Sequence, residues 1–482
     1  MKVRILGIIF LQLLIACNEE KETTIIRPQL QVAPDHRHLE YRSGDPFFWL
    51  GGTSWGMSEW LNREDVDFYL DNRKAKGFTL VQICLFWGKR TDDPVNFRAN
   101  QPNAYGYKAF LEKDGIPDPT QPAIVEGGTP DAPNDYWDHV TYIVEAAAKR
   151  DMMIALLPVW GRRYVNASHP SFSAPLFSES SMYDYGRFLG GLLSGYDNII
   201  WVLGGDVKAD MQGDYLGHYR AMAEGIVQGI TGEMVAWNEA SPLWDRALMT
   251  YHPDGTPMKN SSTWFHRDAW LDFNMIETFR HRDQIVAAVH QDYVLDNPIK
   301  PTVMGEPAYE DYMDTARPTA GIHMRRQAWQ SFFAGAAGFT YGGGRDEEGH
   351  GPLFSPFTGW KELLDREGAR SMQYVKTFCQ EHYWPYWIPA QDIIKDAGSG
   401  ELQQMAVWSA PAGLLMIYFP DNVVARLDIS GYFSDQESWH MQWYNPSDGH
   451  YMELSTISGV DKTSWEVIPP KGWSDAVFLI SR

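Results

Sequence analysis

The chain has 482 residues, of which 44% are hydrophobic, 14% aromatic and 21% charged. That balance excludes a disordered, collagenous or disulfide-scaffold protein, and the length suits several ordinary domains or one large barrel with a smaller module. Acids outnumber bases 62 to 41, for a formal charge of −21, so the surface repels phosphate backbones and nucleic acid is excluded as a partner.

The first residues read as an address. Lys2 and Arg4 precede the apolar run 5–16, too short to span a bilayer as a mature helix, so residues 1–16 read as a signal peptide. Leu14-Ile15-Ala16-Cys17 resembles the lipobox of bacterial lipoproteins, which implies cleavage before Cys17 and lipidation of its sulfur. An ordinary signal peptide that contains a Cys is the alternative. Asn18-Glu19-Glu20 opens an acidic tether over 17–30 and resembles the surface-export signal of Bacteroidetes lipoproteins. These resemblances imply a lipid anchor in the outer membrane, at the cell surface or on its periplasmic face. The anchor would be the only membrane contact. Cys84 and Cys379 remain and read as buried free thiols, with a disulfide in an exported protein as the alternative. No Cys/His spacing suits zinc, and no EF-hand or P-loop occurs, so neither a metal nor a cofactor is expected.

Short apolar runs then alternate with helical patterns. The first run, 47–50, leads into Gly51-Gly52-Thr53-Ser54-Trp55. Its helix is capped near Asn62, carries Val66, Tyr69 and Leu70 on one face, and stops at Gly77. The second run is 80–87, followed after a long loop by a helix over 136–149. The third is 152–160, with Phe188, Leu189, Leu192 and Leu193 on its helix. The fourth, 198–203, ends in Gly204-Gly205-Asp206 and precedes a helix over 215–230. The fifth is 247–251, with 234–237 as a rival, and its helix is short, near 263–270. The sixth is 273–278, the seventh 301–304, ending in Gly305-Glu306-Pro307, and the eighth 338–341. Helices with Ile285, Val286 and Val289, over 321–334, and with Trp360, Leu363, Leu364, Met372 and Val375 follow these three. Eight strand–helix units predict a (β/α)8 TIM barrel over 31–388. A doubly wound sheet is the rival, but Gly51-Gly52 makes no phosphate-binding turn.

From Pro389 the helical period stops. Strand-like runs recur at 405–408, 414–419, 423–429, 439–444, 451–454, 465–468 and 476–480, separated by turn signals such as Asn445-Pro446-Ser447-Asp448-Gly449. Seven strands in residues 389–482 predict a β-sandwich. No long linker precedes it, so it should pack on the barrel.

Catalytic groups of such barrels come from the C-terminal ends of strands. Asp206 ends the fourth strand and Glu306 the seventh. Two carboxylates facing across one pocket are what glycoside hydrolysis needs, one protonated to donate to the leaving oxygen and one ionised to attack. A turn cap for Asp206 and a loop ion pair for Glu306 are the bland alternatives. Asp210, Glu239 and Glu310 are nearby competitors.

Stretches spread over most of the chain resemble the apiosidase-like family of glycoside hydrolases, barrel enzymes with a C-terminal β-domain. They are Pro46-Phe47-Phe48-Trp49-Leu50-Gly51, Trp201-Val202-Leu203-Gly204-Gly205-Asp206, Tyr251-His252-Pro253, residues 270–276, Gly305-Glu306-Pro307-Ala308-Tyr309-Glu310, residues 336–342 and Trp443-Tyr444-Asn445-Pro446. The resemblance implies a retaining double displacement with Asp206 as acid/base and Glu306 as nucleophile. It also implies apiosidase-type activity on side chains of the pectin rhamnogalacturonan II. Three departures put the substrate in question: Gly52 where the family has Asp, an insertion over 233–246, and Glu277-Thr278-Phe279-Arg280-His281 where Gln-Ser-Gly-His is usual.

Independently of the family, cationic residues recur just after the strands: Lys89, Arg90, Arg162, Arg163, Lys208, Arg280, Arg282 and Arg345. A basic mouth would suit an acidic polysaccharide, and pairing with loop carboxylates is the alternative. Trp55, Trp87, Trp160 and Tyr309 are candidate sugar platforms. His252 and His281 end strands five and six and are candidates to bind hydroxyls or tune Glu306. The expected protein is a monomeric glycosidase acting on an oligo- or polysaccharide. A glycan-binding lipoprotein without catalysis is the reading from another class.

Overall fold

The computed structural model describes residues 28–90, 97–166, 175–311, 313–314, 317–343, 360–433, 439–457 and 461–481. Cys17 with its signal peptide, and Arg345, lie outside these residues.

Eight parallel strands form one sheet: β1 (Trp49–Thr53), β2 (Leu80–Cys84), β3 (Met153–Leu157), β4 (Ile199–Gly204), β5 (Met249–His252), β6 (Asn274–Glu277), β7 (Thr302–Glu306) and β8 (Gly338–Tyr341). Their order is β5-β4-β3-β2-β1-β8-β7-β6. Every residue of these strands is buried, which is why each reads as an unbroken apolar run rather than an alternating one. The remaining gap, between β5 and β6, is bridged by Asp272 and Phe273, just before β6. Asp272 donates its N–H to Met249 O (2.9 Å), the Met249 N–H returns to the Asp272 carboxylate (2.7 Å), and Thr250 Oγ1 donates to Phe273 O (2.6 Å). The sheet is thereby nearly closed as the expected barrel. Inside it, Trp49 Nε1 donates to Thr340 Oγ1 (3.0 Å) and Gln82 Nε2 to Gly305 O (3.0 Å).

A helix follows each strand: α1 (Arg63–Ala75), α2 (Tyr136–Ala148), α3 (Glu179–Leu192), α4 (Leu216–Thr231), α5 (Ser262–Phe265), α6 (Ile285–Tyr293), α7 (Gly321–Phe333) and α8 (Glu367–Glu381). Their starts follow capping chemistry. Asn62 accepts from the Asp65 N–H, Asp135 from Trp137 and Asp138, and Ser178 from Ser181. α5 is a single turn, and the stretch before β5 contains a 3₁₀ turn at Pro242–Arg246, so the fifth unit is the least regular.

The C-terminal part holds two antiparallel sheets, six- and three-stranded, in agreement with the expected sandwich. Its central strands are β9 (Met405–Ser409), β10 (Leu414–Phe419), β11 (Trp439–Tyr444) and β12 (Ala476–Ser481), with β12 between β10 and β11. Met416, Tyr418, Val477 and Leu479 join the barrel's apolar core, and Trp329 of α7 stacks on Tyr418 at 5.7 Å. Cys84 and Cys379 are buried and free, as expected. Among the described residues no helix is long and apolar enough to cross a membrane.

Candidate active site

The carboxylates cluster where β4, β5, β6 and β7 end. Beyond β4 the backbone turns through Gly204 (φ +93°), Gly205 (φ +111°) and Asp206 (φ +52°). A Cβ on Gly204 would lie 2.3 Å from His252 O, and one on Gly205 would press on Trp160 and the Gly161 backbone at 3.1 Å. Both positions therefore need glycine. Asp206 takes a left-handed conformation that carboxamide and carboxyl side chains tolerate best, and the turn aims it into the cluster.

His252 ends β5 and is fully buried. Its Nδ1 accepts the Asp206 N–H (3.3 Å) and lies 3.0 Å from Pro253 O. Its Nε2 lies 2.9 Å from Glu306 Oε2. Glu306 ends β7, where a bulge brings Glu277 of β6 directly opposite it, and Thr278 and Phe279 both donate their N–H groups to Glu306 O (2.9 and 3.1 Å). Glu277 Oε2 lies 3.6 Å from His252 Nδ1. Tyr309 hydrogen-bonds Glu306, and Trp55 Nε1 donates to the Tyr309 hydroxyl at 3.0 Å.

Burial and crowding raise two carboxyls of the cluster, Asp206 and Glu277. Burial pushes Asp206 up to about 6; Arg162 opposes this and Glu306 adds to it. The Arg162 guanidinium sits 3.2 Å from Asp206, with the two side chains 50% and 31% exposed, so Asp206 keeps a solvent path at the mouth. Burial, then Glu306 and Asp206, hold Glu277 well above the usual carboxylate range.

The other candidate residues fall in three places. Trp55, Trp87, Trp160 and Tyr309 are 1–3% exposed rather than open platforms. The three tryptophans form one cluster, with ring centroids 4.3–6.2 Å apart, and Trp55 and Trp160 pack on His252. Together they make a wall that fixes the imidazole. Arg163 lies beneath that wall, its guanidinium 3.9 Å from the Trp87 ring and donating to Trp87 O at 2.7 Å; burial lowers its pKa to about 10. His281 stands exposed beyond β6, where its backbone N–H closes a turn on Thr278 O (2.8 Å).

Among the competitors, Glu310 is buried and structural: it accepts from the Tyr341 hydroxyl (2.6 Å) and from the Gly368 N–H (2.8 Å). Asp210 and Glu239 are exposed. Of the recurring cations, Arg282 is bound to Glu401 (3.2 Å) and Arg162 is paired with a candidate catalytic residue. Glu277 is the site residue to which sequence reasoning assigned no role; Arg162, expected as a mouth cation or a partner of a loop carboxylate, pairs with Asp206. The strand-end rule that selects Asp206 and Glu306 also selects Glu277.

His252, Glu277 and Glu306 offer ligand atoms within 4.8 Å of one another, a spacing a cation could use. With Asp206, these residues make one cluster of an imidazole and three carboxyls.

The apiosidase-like catalytic domain family matches residues 33–386. A search of curated proteins finds no match. Among solved structures, a glycoside hydrolase superposes with a TM-score of 0.76 at 24% identity, covering 94% of this chain and 97% of its own. A family 5 glycoside hydrolase from Bacteroides vulgatus ATCC 8482 does so at 0.76 and 25%, covering 94% and 93%. A GH27 β-L-arabinopyranosidase from Geobacillus stearothermophilus shares the fold at 0.51 and 11%, covering 90% and 96%. Since the family match spans most of the chain and the strand-end carboxylates sit where its fold places chemistry, the protein belongs to the apiosidase-like family of glycoside hydrolases.

Proposed function

We propose that the enzyme is a retaining glycosidase in which Glu306 is the nucleophile and Asp206 the acid/base. The observation that carries this reading is the division of labour at the strand ends. Asp206, raised to about 6, can hold a proton at mildly acidic pH, and the Glu306 carboxylate is held by His252 and Tyr309. Glu306 attacks the anomeric carbon while Asp206 protonates the departing oxygen. Asp206 then takes a proton from water, and that water releases the sugar from Glu306.

The substrate we propose is a plant cell-wall polysaccharide, in first place an apiose-linked side chain of rhamnogalacturonan II. The family match supports this, and Arg162 at the mouth offers a bidentate partner for a uronate carboxylate near the scissile bond. We also propose that the enzyme works as a lipoprotein anchored through Cys17 in the outer membrane, on the lipobox-like sequence.

The test is the product profile on a panel of pectic, other acidic and neutral polysaccharides, with the anomer formed read by NMR. Apiose-terminated products of retained configuration are expected. Asp206→Asn should lower kcat by about 10²- to 10⁴-fold, and Glu306→Gln by at least as much. Turnover unchanged in both variants would remove the assignment.

A further inference from the structure

Glu277 stands directly across the ladder from Glu306 on the neighbouring strand. Like charges opposite one another on adjacent strands repel. The two share one imidazole, with His252 Nε2 at 2.9 Å from Glu306 and Nδ1 at 3.6 Å from Glu277. The three side chains are 0–7% exposed, so water does little to screen the repulsion.

The titratable and charged groups facing Glu277 come from several strand ends: Glu306 and Tyr309 at β7, Asp206 after β4, His252 and Asp254 at β5, and Arg162 after β3. Three are carboxyls. The one permanent cation, Arg162, is engaged with Asp206 at 3.2 Å. Glu277 therefore lies among acids with no cation of its own in this group. Its Oε2, Glu306 Oε2 and His252 Nε2 are all buried without a well-aligned hydrogen bond, so a shared proton has acceptors on each side.

We propose that Glu277 is a positioning residue that keeps its proton through the catalytic cycle, so that the negative charge of the pair rests on Glu306. A neutral carboxyl occupies the shape of a carboxamide and can donate one hydrogen bond. An ionised one would repel Glu306 across the ladder and draw His252 toward itself. The raised affinity of Glu277 for its proton, from burial and then from Glu306 and Asp206, agrees with this assignment. The catalytic half of the proposal rests on the reading of Glu306 as nucleophile; the protonation half does not.

A carboxyl whose folded pKa exceeds its unfolded value takes up a proton on folding. Stability from that proton is fully present below the ordinary Glu pKa and is lost as pH rises toward the folded value. Gln cannot ionise and removes the loss. Thermal unfolding of the full chain, wild type against Glu277→Gln, is therefore followed from pH 4 to pH 9 without substrate. The Tm difference should widen in favour of Gln as pH rises, up to about tenfold in the folding equilibrium per pH unit over the linked range. A difference independent of pH would overturn the protonation.

The substrate arm separates positioning from chemistry. With whichever polysaccharide the wild type cleaves, Glu277→Gln should hold kcat within about threefold at pH 5, whereas Glu277→Ala falls well below it. A collapse of kcat in Glu277→Gln as deep as in Glu306→Gln would make Glu277 a reacting carboxylate. A calorimetric titration with Zn²⁺ alone should show no stoichiometric binding that Glu277→Gln abolishes. Such binding would make Glu277 an ionised ligand and end the proposal.

Discussion

Arg162 and Asp206 meet at the mouth at 3.2 Å, and their exposure, 50% and 31%, limits what the pair contributes. Exposed pairs are worth about 0.2–1 kcal/mol, so removing the guanidinium should move the protonation of Asp206 by roughly 0.2–0.7 pH unit. The sign follows from the chemistry. Arg162 favours the ionised form of Asp206, so Arg162→Gln raises its pKa further above about 6. As the proposed general acid, Asp206 then keeps its proton to higher pH, and the alkaline limb of kcat/KM should move upward. Rate profiles of both proteins against pH measure this, and a limb moved downward or unmoved would separate Arg162 from the acid. Residues differ in how plainly they announce themselves. Asp206 and Glu306 are legible because both stand at the C-terminal ends of strands, Asp206 just past two glycines. The burial of Trp55, Trp87 and Trp160 is not, because a wall residue and a platform have the same composition and differ only in what covers them. The pairing of Glu277 with Glu306 depends on the β7 bulge, and a bulge leaves no period in the sequence.

Among the elements, α3 and α4 show how the barrel's outer ring is held. Gly225 of α4 has Tyr183 O 2.2 Å from where a Cβ would stand, and Gly190 of α3 has Ile226 O at 2.2 Å. The helices touch backbone to backbone. Alanine in a helix gains about 1 kcal/mol over glycine in propensity, and forcing two helix backbones apart costs about 1–3 kcal/mol. Gly225→Ala should therefore destabilise the protein, with a lower midpoint of urea unfolding. Gly195→Ala, where nothing lies within 4 Å, serves as the control and should not. The eight units are legible because strands buried on both faces carry continuous apolar runs alternating with helical periods, and because Asn62 marks the first helix start. The fifth unit was ambiguous for a physical reason. β5 has four residues, the run 234–237 before it competes as a strand, and its link to β6 is one backbone hydrogen bond from Asp272 supplemented by the Asp272 and Thr250 side chains.

At the scale of the molecule, the sandwich behaves as a buttress of the barrel. Its central strands β10 and β12 put Tyr418, Met416, Val477 and Leu479 into the barrel's core. Polar contacts fix the angle: Tyr444 donates to Tyr374 O on α8 (2.8 Å) and Arg326 of α7 to Pro420 O (2.9 Å). At the centre, Arg325 of α7 and Asp475 form a buried pair at 3.1 Å, 2% and 0% exposed, with Tyr418 donating to the same carboxylate at 3.3 Å. Such a pair gives little net stability over an apolar match, yet breaking it is severe because one charge stays buried alone. Arg325→Met should cost about 3–5 kcal/mol in denaturant unfolding, since Asp475 has no water to turn to. Adding Asp475→Asn removes the stranded charge and should recover a large part of that loss. If Arg325→Met cost less than about 1 kcal/mol, the sandwich would hold to the barrel through its apolar face alone, and the ion pair would set only the docking angle.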